Sequence, residues 1–242
     1  MAGLLLGLLA ERPGLIVSLP ENSVELARAA AEGGADALKV HINVRHDASG
    51  TQFGSLAEER ARLEEILAVG LPTGIVPGVA ASLPSREDMA ELARMGIDFF
   101  DLYVHDMPVW MTRVEGMTRT AAIGHDTPLE AIPELEKLGF EMLEAAVIPH
   151  EGYGAALSVS DLAQYQRIRR ATQLPIIVPT QRAIEPGDVP ALVGIGLDAI
   201  MIGAIVTGRE PGGLRAATEQ FASALSAGAG RGSPAIHPAS AG

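Results

Sequence analysis

Cysteine is absent from the 242-residue chain, which excludes disulfides and thiolate metal sites and removes any reason to expect an oxidising compartment. Positive charge is scarce: 18 basic residues stand against 30 acidic ones, for a net charge of -12, and the only lysines are Lys39 and Lys137. Such a chain offers the wrong field to nucleic acid or to an anionic membrane surface, so neither is expected as a partner. A small anionic ligand would need locally placed donors. Long apolar runs are missing too, and none reaches the roughly 20 residues of a membrane span. The apolar start, Met1 to Leu9, has no basic n-region, is broken by glycines and runs into Glu11-Arg12-Pro13. It is not read as a secretory signal, and the cytoplasm is the expected location.

What the chain does have is a hydrophobic content of 48% and a length that suits one large core, the usual size of an eight-stranded α/β barrel. Short β-rich runs alternate with helical stretches. The runs are Leu15–Leu19, Ala37–Val44, Thr73–Pro77, Phe99–His105, Arg119–Ile123, Met142–Ile148, Pro175–Thr180 and Ala199–Ile202. Between them lie helical stretches such as Ser23–Glu32 and Leu56–Val69, with apolar residues at three- and four-residue spacing. Gly33-Gly34, Gly96, Gly139 and Gly196 read as helix ends. Ser85, Thr127-Pro128, Ser160-Asp161 and Pro186-Gly187-Asp188 read as helix starts. Strict alternation implies a parallel sheet, and eight repeats favour closure into a (β/α)8 TIM barrel over an open doubly wound sheet. The expected organisation is one barrel over residues 1–226, opened by a short helix from Leu4 to Glu11 that plugs its floor. From Ala227 to the end a Gly, Ala, Ser and Pro tail is expected to be disordered.

Side chains alternate along a barrel strand, so polar residues at every second position point inward. Strand two places Lys39, His41 and Asn43 in one phase, strand four Asp101, Tyr103 and His105, and strand six Glu144 with Ala146 and Ile148. Burying this many ionisable groups costs several kcal/mol unless they pair or serve a purpose. Lys39, Glu144, Asp101, His41 and His105 are the candidate catalytic groups. Lys39 is read as acid/base or imine-forming amine, with Glu144 its expected partner; a plain buried salt bridge from Glu144 to Lys39 or Arg119 is the competing reading. His46, His105, His125 and His150 fall at or just past the carboxyl ends of strands two, four, five and six, the end at which barrel enzymes build their sites. Asn43, Tyr103, His125, His150, Tyr153 and Gln181 are candidate substrate contacts. The loop His46 to Phe53, rich in Gly, Ser and Thr, is read as a lid.

Pro175 to Arg182, Pro186 to Pro190 and Gly196 to Thr207 together resemble the phosphate-binding half of the ribulose-phosphate-binding barrels. The resemblance assigns Gly203 and Ala204 to a phosphate; the Gly-Gly usual after strand seven is absent, Thr180-Gln181-Arg182 stands in its place, and Arg182 is read as compensating as a direct phosphate ligand or as a solvated loop arginine. Pro13-Gly14-Leu15-Ile16-Val17-Ser18, Glu32-Gly33-Gly34-Ala35, Glu151-Gly152-Tyr153-Gly154 and Gly203–Thr207 are together similar to the N-acetylmannosamine-6-phosphate 2-epimerase family, over about Leu4 to Leu225. The resemblance implies proton transfer at a carbon beside the carbonyl of an amino-sugar phosphate. The chain departs from the family where a lysine on strand three and a glutamate on strand seven are expected, since Thr73–Gly78 and Pro179–Gln181 contain neither. Lys39 and Glu144 are read as doing that work from neighbouring strands.

The expected function is therefore a cofactor-independent isomerase or epimerase of a sugar phosphate or amino-sugar phosphate. The alternatives are a Schiff-base aldolase or lyase using Lys39 on a phosphorylated substrate, and a non-catalytic barrel that binds a phosphometabolite. A divalent metal among His41, His105, Glu144 and Asp101 has suitable ligand types but no spacing motif behind it. The expected partner is a small phosphorylated metabolite; an acidic barrel of this size is compatible with a monomer or a homodimer.

Overall fold

The computed structural model describes residues 3–229. Eight parallel strands, β1 (Gly14–Ser18), β2 (Ala37–His41), β3 (Thr73–Val76), β4 (Phe99–Tyr103), β5 (Thr118–Ile123), β6 (Met142–Ala145), β7 (Ile176–Pro179) and β8 (Ala199–Ile202), follow one another around a closed barrel. Closure is made where β8 pairs with β1 from Gly14↔Ala199 to Val17↔Ile202. The fold is a (β/α)8 TIM barrel, and the open sheet is not what forms.

The helices are α1 (Leu4–Leu9), α2 (Val24–Glu32), α3 (Leu56–Leu67), α4 (Arg86–Met95), α5 (Ile132–Lys137), α6 (Val159–Ala171), α7 (Val189–Gly194), α8 (Ala204–Thr207) and α9 (Pro211–Ala229). Capping explains their starts: Ser55, Ser85 and Ser158 each close a reciprocal box with the acidic residue three positions on. For α6 the cap is Ser158, two residues before the expected Ser160, because Asp161 is the carboxylate that reaches back. Gly96, which ends α4, takes φ 102°, a left-handed conformation that costs glycine nothing. Between β4 and β5 only a single 3-10 segment, Val109–Arg113, stands where the alternation predicts a helix. The tail expected from Ala227 begins inside α9, which continues to Ala229; the remainder of that tail lies outside the described residues.

The core has two parts. Outward-facing strand residues such as Val17, Leu38, Val40, Phe100 and Val178 pack under the helices. Inside the barrel, Ile16, Phe99, Met142, Ile177 and Met201 fill the lower half and meet Leu5 and Leu9 of α1, which is the expected plug. Phe99 needs the space that Gly74 leaves: a Cβ there would sit 2.1 Å from its ring. That packing gives a physical reason for strand three carrying glycine at this level rather than a long side chain.

Candidate functional site

The inward phase of three even-numbered strands supplies one layer above the apolar floor, as alternate strands do in such barrels. Lys39 of β2 donates from Nζ to Asp101 Oδ2 of β4 at 3.1 Å and to Glu144 Oε2 of β6 at 2.8 Å. All three are buried. The bridge expected from Glu144 to Lys39 is present, whereas Arg119 faces outward and pairs with Glu141. Two carboxylates around one cation leave the layer with one negative charge too many, and their surroundings divide the burden. Burial and the neighbouring Glu144 push Asp101 well above its ordinary carboxyl value, and its Oδ1 meets no donor. Burial opposes ionisation of Glu144 as well, but the Lys39 ammonium 2.8 Å away outweighs it and holds Glu144 below its usual value. For Lys39, burial disfavours the ammonium, yet the attraction of Glu144 and Asp101 wins and its pKa rises. The surroundings thus favour the ammonium form of Lys39, the carboxylate form of Glu144 and the protonated form of Asp101.

This layer forms the floor of a cavity of about 230 Å³ at the carboxyl ends of the strands, room for a small metabolite. Its walls include Ser18, His41, Tyr103, Tyr153, Thr180 and Gln181. Asn22 fixes the end of β2 by donating to the His41 carbonyl at 2.7 Å and accepting from the His41 N–H at 3.3 Å. The His41 ring is buried, with Nδ1 unpartnered, and packs against the rings of His46 at 4.5 Å and Phe53 at 4.8 Å. Burial, together with His46 and Lys39, pushes its pKa well below the ordinary value. Burial and Lys39 likewise push His46 down to about 4. Both imidazoles are neutral at pH 7.

The segment read as a lid is a short hairpin. Arg45 bridges Gln52, His46 Nδ1 lies 2.9 Å from Ser49 Oγ, and Arg209 beyond α8 donates to Thr51 Oγ1 at 3.2 Å. It brings Arg45, His46 and Asp47 to the cavity wall.

Several expected site residues are placed elsewhere. Asn43 takes φ 55° and ends the alternation of β2, so its side chain turns to the Pro77 carbonyl at 3.1 Å. A turn closed by Asp106 N–H on Tyr103 O carries His105 to the rim, more than half exposed and stacked on Tyr103. His125 is exposed and opens on a separate cleft with Thr127, Ser160, Gln164 and Arg167. His150 is exposed and touches the site only through its contact with Tyr153. Arg182, expected at a phosphate, is fully engaged: Nε and Nη2 grip both oxygens of Asp161 at 3.1 and 3.0 Å, and Nη1 donates to the Gly152 carbonyl at 2.9 Å. Gly203 and Ala204 do line the cavity, although the Gly203 N–H is already given to Thr180 Oγ1 at 3.0 Å. Among the described residues no three His, Asp or Glu side chains are grouped to hold a metal ion, and the four suggested ligands do not converge. No described helix is long and apolar enough to cross a membrane. Ser18 and Thr180 were legible as inward polar residues at strand ends; Arg45 and Asp47 had no such signal, because a loop has no fixed phase.

No protein-family model matches this chain, and no curated protein is significantly similar to it. Solved structures are similar to it in shape. Mycobacterium tuberculosis tryptophan synthase aligns at a TM-score of 0.73 and 16% identity, over 93% of this chain and 99% of that one. Thiamine phosphate pyrophosphorylase from Pyrococcus furiosus aligns at 0.61 and 20% identity, over 88% and 96%. The tryptophan synthase A-subunit from Pyrococcus furiosus aligns at 0.67 and 15% identity, over 86% and 97%. At such identities the shared property is the barrel fold. None of these three is an N-acetylmannosamine-6-phosphate epimerase, so that resemblance stands on its motifs alone.

Proposed function

We propose that this barrel is an isomerase or epimerase that moves a proton at a carbon beside the carbonyl of a sugar phosphate or amino-sugar phosphate. The observation that carries this reading is the buried Lys39 ammonium held between two carboxyl groups, 3.1 Å from Asp101 and 2.8 Å from Glu144, whose surroundings push their pKa values in opposite directions. Two titratable groups pushed apart by their surroundings provide a base and an acid at the same pH. Glu144 takes the proton from carbon, Asp101 supplies one in return, and the Lys39 ammonium holds the negative charge that shifts between them. The phosphate is assigned to the wall at Gly203 and Ala204, where Ala204 offers backbone without a long side chain; Arg182 has no part in it. An imine mechanism asks for a neutral Lys39 amine, which both carboxyl partners oppose.

Incubation with a panel of sugar and amino-sugar phosphates in deuterated water, read by NMR, tests this. Deuterium entering a carbon-bound position in wild type, and lost in Lys39→Met and Glu144→Gln, supports it. Saturable binding of a phosphate ester without exchange means a non-catalytic barrel, and irreversible inactivation by borohydride with a bound carbonyl compound means an imine.

A further inference from the structure

We propose that Tyr153 donates a hydrogen bond to the substrate oxygen that becomes negatively charged, and that Gln181 is the positioning residue that keeps the Tyr153 hydroxyl hydrogen free for it. The assignment rests on the proton-transfer reading of Glu144 and Asp101. It starts from a strut between two loops. Residues 152–155, after β6, are tied to residues 181–183, after β7, by four hydrogen bonds: Arg182 Nη1 to Gly152 O, Gln181 Nε2 to Tyr153 Oη, Gly154 N–H to Gln181 O and Ala183 N–H to Ala155 O, all between 2.7 and 2.9 Å. The salt bridge from Arg182 to Asp161 anchors the strut to α6.

The direction of one of these bonds is fixed. Gln181 Oε1 accepts the Ile148 N–H at 3.0 Å, and a backbone N–H can only donate, so the Gln181 amide nitrogen must face Tyr153. Tyr153 therefore accepts from Gln181 and cannot donate to it. With Gln181 donating to its oxygen, Tyr153 keeps its own O–H to give, on the wall of the cavity whose floor carries Glu144.

When Glu144 removes the proton from carbon, the electron pair of that C–H bond forms a C=C bond and the carbonyl π pair moves onto oxygen. A fixed donor aimed at that oxygen is worth most at this moment, since it needs no reorganisation. The proton of Tyr153 stays on Tyr153. The ligand class this requires is an open-chain carbonyl compound whose oxygen lies across the cavity from the Glu144 carboxylate.

Gln181→Glu separates aiming from stapling. Glutamate keeps the shape and still accepts from Ile148, but at Tyr153 it accepts rather than donates, and so consumes the hydroxyl hydrogen. We expect Tyr153→Phe to slow deuterium exchange about 100-fold, the usual loss for one oxyanion donor, and Gln181→Glu to match it below its own melting temperature, where the fold is intact. The chain has three tyrosines, so 19F NMR of the 3-fluorotyrosine protein, assigned with Tyr153→Phe, follows the phenol in the ligand-free state. Gln181→Glu should raise its titration. A rate and a titration both unmoved in Gln181→Glu overturn the positioning role, and exchange that survives Tyr153→Phe overturns the Tyr153 assignment alone. If wild type exchanges no phosphate on the panel while the titration still moves, the proton-transfer reading fails, and with it the role of Tyr153 on a substrate, but not the aiming by Gln181.

Discussion

The lower and upper halves of the barrel interior come from the same strands and the same alternation, yet hold opposite chemistry. Below, Ile16, Phe99, Met142 and Ile177 pack on the plug residues Leu5 and Leu9, with no charge among them. Each such buried side chain contributes roughly 1.5–3 kcal/mol. Above, Lys39, Asp101 and Glu144 form a layer whose desolvation offsets most or all of what their pairing returns. The difference teaches a division of labour: the floor stabilises the fold, so the layer above can hold groups that a stability argument alone would not place there.

The sharpest way to break this contrast is Lys39→Met, which leaves two buried carboxyl groups without their cation. Loss of about 4 kcal/mol is expected in urea denaturation at pH 7. The loss should shrink toward pH 5, because protonation relieves the stranded charge. Leu5→Ala in the floor should cost about 3 kcal/mol with no such pH dependence. The two denaturation series together show whether charge is confined to one half.

A third test uses His46. Its pKa is held down to about 4 from 6.5, so between those values the unfolded chain binds a proton that the folded one refuses. Stability is then fully present above about pH 6.5 and falls as pH drops toward 4. At ~1.4 kcal/mol per unit the decline reaches about 3 kcal/mol. Thermal melts across pH 7 to 4 should show it, and His46→Gln should reduce the slope, with buried His41 supplying what is left.

Arg182→Leu should cost about 2 kcal/mol through Asp161 and Gly152 while leaving inorganic phosphate affinity within a few-fold of wild type, measured by calorimetry. A large loss of phosphate affinity at unchanged stability would return Arg182 to the phosphate. The smallest effect belongs to His105→Ala, within ~0.5 kcal/mol and without consequence for exchange, because the side chain is exposed at the rim.

The charged layer was legible in the sequence because period-two alternation is enforced by the pleat itself, and Lys39, Asp101 and Glu144 all lie within paired strand. Legibility ended where the strands did. The expected phase ran on through Asn43, His105 and Ile148, but β2, β4 and β6 stop at His41, Tyr103 and Ala145, and the turns beyond them obey hydrogen bonding rather than alternation. Arg182 was misplaced for another reason. Its partner Asp161 is 21 residues away on α6, and no local pattern distinguishes a guanidinium that meets a protein carboxylate from one that meets a phosphate. The lid segment was legible as a loop and not as a hairpin, since the contact from Arg209 to Thr51 spans 158 residues.

The central claim is that Asp101 and Glu144 hold different protonation states around one lysine. Its most direct test is a 13C NMR titration of the two side-chain carboxyls in the ligand-free protein, assigned with Asp101→Asn and Glu144→Gln. The account predicts that Glu144 ionises below its ordinary value while Asp101 keeps its proton well above its own. Both groups titrating in the ordinary carboxyl range, or in the reverse order, would contradict it.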